Sequence, residues 1–240
     1  MPTSIIVPSR FPDIFVDCCE SLNKFAPTQN KVLVRDGHDI VDPSDWTTIQ
    51  GPEGPFIYSR NINLGIKQTS GDVLLVNDDV RFVSPDTVEA MEKIFATHAD
   101  IGILSPRIIG GVGNADQSGV TEHLRYTSTR ICFICSLIRR SVIDAIGLLD
   151  ERFTGYGYDD DDYCRRSTDA GFKMAVTADA LVKHGHGKEK WSSSFQRVKK
   201  DDSINKRLYD AKWGTARRTV TNVPYTNNGL TQDWFARHPR

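Results

Sequence analysis

In the first 105 residues, short runs of continuous apolar residues alternate with segments of helical period, and this pattern limits the fold more than any other feature. The runs are "TSIIVPS", "KVLVRDG", "GDVLLVNDDV" and "DIGILSP", each rich in Val, Ile and Leu. Strands apolar on both sides must be covered on both faces, which is the condition of a parallel sheet between helical layers. The intervening segments supply those layers. "FPDIFVDCCESLNKF" carries Ile14, Phe15, Cys18, Cys19, Leu22 and Phe25 near helical spacing. "YSRNINLGIKQTS" sets Ile62, Ile66 and Thr69 on one side, and "SPDTVEAMEKIFATH" aligns Val88, Met91 and Phe95 behind an expected N-cap at Ser84.

In such a sheet, ligands sit beyond the carboxyl ends of the strands. Pro8-Ser9-Arg10, Asp36 and Asn77-Asp78-Asp79 all fall at ends of that kind. The second half is less regular. "GGVGNADQSGV" reads as a surface loop, "ICFICSLIRR" as a buried strand and "SVIDAIG" as a short helix closed by glycine. The acidic run in "GYGYDDDDYCRR" opens a further helix, and a basic helical stretch extends to about Trp213. The glycines match neither a dinucleotide fingerprint nor a P-loop.

Composition sets outer limits. At 240 residues, 39% hydrophobic and 25% charged, the chain fits one large globular domain, with or without an appendage. No apolar run is long enough to cross a bilayer. "MPTSIIVPSR" lacks the features of a signal peptide, so a cytoplasmic location is the expectation. Of five cysteines, Cys132 and Cys135 form a C-x-x-C among Ile, Phe and Leu, which suits a buried strand better than a metal site. Charge is uneven along the chain. Residues 183–240 hold 13 Lys and Arg against 5 Asp and Glu, and residues 1–182 hold 17 against 26.

Taken in order, "TSIIVPSR", "VRDG", "SRNINLGIKQTSGDVLLVNDDV", "RRSVIDAIGLLDERFTGYGYDDDDYCRRSTDAGFK" and "LVKHGHG" resemble the large family-2 group of GT-A glycosyltransferases, which use nucleotide-diphosphate sugars. The resemblance covers about residues 3–187 and fades in the tail. It implies an α/β fold of GT-A type, Rossmann-like, with a mostly parallel central sheet and helices on both faces. The domain would span 1–187, and 188–240 would be a basic C-terminal helical extension. Pro8, Ser9 and Arg10 would lie near the nucleotide base, Asp36 would contact uracil or ribose, and Arg60 and Asn61 would approach the nucleotide and diphosphate.

"NDDV" stands where the family has Asp-x-Asp, with Asn77 in the first place. That departure makes Asp79 the expected metal ligand and leaves Asp78 to ribose or a metal-bound water. His184 would complete the metal shell, with His186 as its rival. A carboxylate–imidazole shell favours Mn2+, with Mg2+ as the alternative. The acidic run aligns with the family's Glu-Asp-x-Asp, which places Asp160 as the base and Asp159 as its support.

Successive helical side chains point about 100° apart, so the four aspartates cannot share a face. Asp162 and Arg166 are spaced to pair, and Asp161 is expected to be mostly solvated. Gly155 and Gly157 are expected to allow the tight turn before the helix. A calcium loop is a poor fit, since the alternating acidic spacing and later Glu of an EF-hand are missing. The resemblance makes a UDP-sugar the expected donor and a glycan or lipid-linked glycan the expected acceptor. Trp191, Phe195, Tyr209 and Trp213, set among basic residues, raise a nucleic-acid acceptor as an alternative. A sugar nucleotidyltransferase and a non-catalytic sugar-nucleotide-binding protein are the competing classes.

Overall fold

The computed structural model describes residues 2–37, 39–110, 114–128, 130–154, 157–185 and 203–214. The strands are β1 (Ser4–Ser9), β2 (Asn30–Arg35), β3 (Thr47–Gln50), β4 (Val73–Val76), β5 (Val80–Phe82), β6 (Ile101–Ile109), β7 (Arg125–Thr127), β8 (Cys135–Ile138) and β9 (Lys173–His184). The helices are α1 (Pro12–Phe25), α2 (Tyr58–Lys67), α3 (Thr87–Thr97), α4 (Ala115–Gly119), α5 (Arg140–Ile146), α6 (Asp159–Asp169) and α7 (Ser203–Trp213). His38, Gly155, His186, Trp191 and Phe195 lie outside the described residues.

The strands form one sheet in the order β3-β2-β1-β4-β8-β6-β9-β5, with β7 also paired to β9. The pairs β1–β2, β1–β4, β2–β3 and β6–β9 are parallel. β8 runs antiparallel between β4 and β6, so those two strands keep the same direction.

Alternate residues of each strand feed two cores. Ile5, Val7, Leu74 and Val76 pack with Phe15, Cys18 and Leu22 of α1 and with Met91, Ile94 and Phe95 of α3. Ile6, Val32, Val34, Val73 and Leu75 pack on the other face with Ile62 and Ile66 of α2, Val142 and Ile143 of α5, and Tyr163 and Cys164 of α6. Both faces of the sheet are therefore dry, as the continuous apolar runs require.

Two local expectations need correction. α3 begins at Thr87 with Asp86 in the N-cap position, not at Ser84. The Ser84 hydroxyl instead accepts from the Asp86 amide, 3.4 Å away, in the turn before the helix. The stretch read as a glycine-rich loop contains α4, started by an Asn114–Gln117 capping box. Gln117 is buried and holds the Cys132 amide at 3.0 Å, so α4 fastens the segment leading into β8.

α7 meets α6 at Asp162, whose side chain is fully buried. Its Oδ1 accepts from Trp213 Nε1 at 2.8 Å and lies 2.8 Å from Lys212 Nζ, while its Oδ2 accepts from Arg166 Nε at 2.9 Å. Removing this carboxylate would leave Arg166 without its carboxylate partner and Lys212 with Asp150 alone. We therefore expect Asp162→Asn to cost about 3 kcal/mol of folding stability, measured by chemical denaturation. A loss below about 1 kcal/mol would place the cluster with ordinary surface pairs.

Candidate active site

All the polar groups singled out at strand ends emerge at one lip of the sheet. β1, β2 and β4 share a direction, so Ser9, Asp36 and Asn77 lie at the same edge. β9 runs parallel to β6 and ends there at His184, directly opposite Val80 of β5.

The first group surrounds Asp36. Pro8 is buried inside β1, in register with Val34, and the Asp36 amide donates to the Ser9 carbonyl at 2.7 Å. The Asp36 side chain has no exposed surface. Arg10 Nε donates to its Oδ1 at 2.9 Å, Asn61 Nδ2 donates to Oδ2 at 2.6 Å, and Arg60 Nη2 lies 3.6 Å from Oδ2. Arg10 also donates to the Gly54 carbonyl, tying the loop before α2 to the same cluster. Gly37 is required by closeness: a Cβ there would meet the Arg10 carbonyl at 2.8 Å. Among the described residues, buried Asn61 Oδ1 and Arg60 Nε have no hydrogen-bond partner. Such polar atoms are costly unless something else satisfies them.

The second group is the turn from β4 to β5. The Asn77 amide donates to the Ile134 carbonyl at 2.9 Å, and the Val80 amide closes the turn on the Asn77 carbonyl at 3.1 Å. Ser9 Oγ donates to Asp78 Oδ2 at 2.7 Å. Burial, reinforced by the neighbouring Asp79 carboxylate, pushes the Asp78 carboxyl up to about 7, and the Ser9 bond offsets only part of this. Asp79 Oδ1 lies 3.2 Å from His184 Nε2, and the Gly185 amide donates to the Asp79 carbonyl at 2.8 Å. His184 Nδ1 is buried without a hydrogen-bond partner among the described residues.

This carboxylate–imidazole pair fits a divalent ion of intermediate hardness. Among the described residues no set of three His, Cys, Asp or Glu side chains gathers around a point, so the described residues offer two ligands here. An ion held here would complete its shell with oxygens of the ligand and with water.

The third group is the start of α6. Gly157, at φ 74°, and Tyr158, at φ 68°, are consecutive left-handed residues. Tyr158 occupies the N-cap without a side-chain cap bond. Burial is the main force raising the Asp159 and Asp160 carboxyls above the ordinary range. The Asp160 charge adds to it at Asp159, and the Asp161 charge adds to it at Asp160. Desolvation, and after it the charges of the two carboxylates, raises half-buried Tyr58 of α2, whose hydroxyl donates to the Phe133 carbonyl at 2.9 Å. The 131–134 segment thus bonds both Tyr58 and the Asn77 turn.

Asp161 is not mostly solvated, contrary to expectation: its side chain is only 17% exposed and lies 2.9 Å from Arg130 Nη1. The predicted Asp162–Arg166 pair is present, 2.9 Å apart. Arg130, Asp162 as an anchor and Asn205 carry no recognisable sequence signal. Each is a common polar residue made important by a partner distant in the chain.

No family model matches the chain. Over 155 residues, 54% of this chain, it is 26% identical to uncharacterized protein y4gI of Sinorhizobium fredii (strain NBRC 101917 / NGR234), and it spans 17% of that protein's length. Among solved structures it is similar to S. aureus TarS 1-349 in complex with UDP-GlcNAc. The TM-score is 0.63 at 15% identity, over 88% of this chain and 71% of that one. It is also similar to the mannosyltransferase PcManGT from Pyrobaculum calidifontis, in complex with GDP-Man and Mn2+. There the TM-score is 0.59 at 12% identity, over 88% of this chain and 68% of that one. At these identities the likeness is one of architecture, and the architecture is the GT-A fold.

Proposed function

We propose that the chain is an inverting, metal-assisted glycosyltransferase that moves a sugar from a nucleoside diphosphate, UDP being the expected carrier, to an acceptor hydroxyl. The observation that carries this reading is the Asp79–His184 pair, 3.2 Å apart on the same sheet edge as the Asp36 cluster. A nucleotide bound along that edge would have its base and ribose beside Pro8, Ser9 and Asp36. Arg60, Asn61, Asn77 and Asp78 would follow toward the diphosphate. TarS binds UDP-GlcNAc and PcManGT binds GDP-Man, which supports a nucleotide-sugar donor in general. We assign catalysis to residues 1–187 and treat 188–240 as an extension.

Leaving-group charge is the first chemical requirement. Asp79 and His184 would hold a divalent ion, Mn2+ by donor set and Mg2+ as the alternative, which supplies Lewis-acid neutralisation of the departing diphosphate. Arg10 and Arg60 add fixed positive charge beside the nucleotide. The second requirement is a base. The acceptor hydroxyl gives its proton to Asp160 as its oxygen attacks the anomeric carbon. The carbon–oxygen bond to the diphosphate breaks from the opposite side, its electron pair leaves on the diphosphate, and configuration inverts. Asp159 supports the base and contacts the acceptor. A glycan or lipid-linked glycan is the acceptor class we assign. A nucleic-acid acceptor would instead bind with a steep salt dependence.

Incubating the protein with a panel of nucleotide sugars and Mn2+ tests this directly. Slow hydrolysis, with water as acceptor, should release nucleoside diphosphate from one of them. Asp160→Asn should lower turnover by roughly 10²–10⁴ while donor binding is kept. Turnover at the wild-type rate would remove Asp160 from its role, and donor binding without any release would favour a non-catalytic binding protein.

The rate should also depend on pH in a defined direction. Protonated Asp160 cannot accept a proton, so activity falls as pH falls, and burial places that limb above the ordinary carboxylate range near 4. The limb belongs to the coupled Asp159–Asp160 pair, not to one residue. Asp161→Asn removes a charge that raises Asp160 and frees Arg130, which lowers it, so the limb should move to lower pH. A limb unmoved in this variant, followed by steady-state kinetics across pH, would contradict the assignment.

A further inference from the structure

We propose that α7 is a working part of the catalytic site, with Asn205 as a positioning residue that holds the left-handed turn presenting Asp159 and Asp160. The proposal rests on the glycosyltransferase reading above and adds to it an element outside the assigned catalytic domain. Asn205 lies in the first turn of α7, between exposed Ile204 and exposed Lys206, yet it is itself completely buried. Its Nδ2 donates to the Gly157 carbonyl at 2.6 Å. A buried amide is tolerated only where its polar atoms are satisfied, and this one is spent on the turn before α6.

That turn needs outside help. Gly157 and Tyr158 are both left-handed, and Tyr158 is the sole described non-glycine residue at positive φ. The N-cap residue Tyr158 makes no side-chain cap bond, and the Asp160 carboxylate accepts only from the Asp161 amide one residue on, at 2.9 Å, which leaves the turn before it unheld. α7 supplies the restraint along one face, at positions 205, 209, 212 and 213. Asn205 holds Gly157, the Tyr209 ring lies 5.5 Å from the Tyr158 ring, and Lys212 and Trp213 hold Asp162. These contacts bracket Asp159 and Asp160 on both sides. Residues spaced by four and by three or four more share a helix face, so one face of α7 is committed to the first turn of α6. The donor-side clusters at Asp36 and at Asp79 lie on β1, β2, β4 and β9, and α7 makes none of their described contacts. The effect of Asn205 should therefore fall on the chemical step and not on donor binding.

The test uses the full chain with Asn205→Ala, and with Asn205→Ser, which keeps a hydroxyl donor. Three readouts are needed: nucleoside-diphosphate release at saturating donor, UDP affinity by calorimetry, and amide hydrogen exchange. For Asn205→Ala we expect kcat to fall at least about tenfold while UDP affinity stays within about twofold, since small misplacements of reacting groups are costly. Amide exchange at 159–162 should quicken, exchange in β1 and β4 should not, and Asn205→Ser should recover part of the rate. A folded Asn205→Ala protein with wild-type kcat, or one losing rate and UDP affinity together, would overturn the proposal. If Asn205→Ala does not fold, Tyr209→Leu takes its place with the same readouts, and the same results support or overturn the proposal. If the wild-type protein releases nucleotide from no sugar nucleotide, the glycosyltransferase reading has failed. Exchange alone then decides the claim for α7: quickened exchange at 159–162 supports it, and unchanged exchange overturns it.

Discussion

Burial of the central strands on both faces is the constraint on which the rest of this structure depends. Ile5, Ile6, Val7, Val32, Leu33, Val34 and the whole of β4 have no exposed surface. Nothing polar can be placed along these strands without large desolvation cost, so chemistry is confined to their ends. Parallel pairing then brings those ends to one edge. Ser9, Asp36, Asn77 and His184 come together because the sheet leaves them nowhere else to go. β8 preserves this by running antiparallel between β4 and β6, so β6 and β9 keep the direction of β1, β2 and β4.

The acidic residues at this edge fall into two electrostatic groups. Asp36 is met by Arg10 and Arg60, Asp161 by Arg130, and Asp162 by Arg166 and Lys212. These carboxylates are neutralised and fix local structure. At Asp78, Asp159 and Asp160, burial and neighbouring carboxylates raise the affinity for protons instead. Perturbation of that kind is concentrated at working sites. The turn carrying Asp159 and Asp160 is held at modest cost. A left-handed non-glycine residue costs about 1–3 kcal/mol. The Asn205 hydrogen bond returns about 1 kcal/mol, and the Tyr158–Tyr209 contact about 0.5–1.5 kcal/mol.

Much of this was legible in the sequence because it depends on local pattern. Continuous Val-Ile-Leu runs announced β1, β2, β4 and β6, and the spacing of Ile62 and Ile66 announced α2. The Asp79–His184 meeting followed from the resemblance, across more than a hundred residues. The start of α3 was misplaced because Ser84 and Asp86 are equally good caps in sequence, and geometry chose the second. α4 was missed because its capping box sits in a glycine-rich stretch that reads as loop. Asp161 looked solvated because its partner, Arg130, lies 31 residues away. The roles of Asp162 and Asn205 were invisible for the same reason, since both depend on where α7 docks.

The central claim is that this edge binds a nucleoside diphosphate through an ion held by Asp79 and His184. Calorimetric titration of UDP into the protein, with and without Mn2+, tests it most directly when repeated on Asp79→Ala. The account predicts UDP binding that strengthens with Mn2+ in the wild-type protein and loses that dependence in Asp79→Ala. Binding indifferent to Mn2+ in both proteins, or equally strengthened in both, would contradict it.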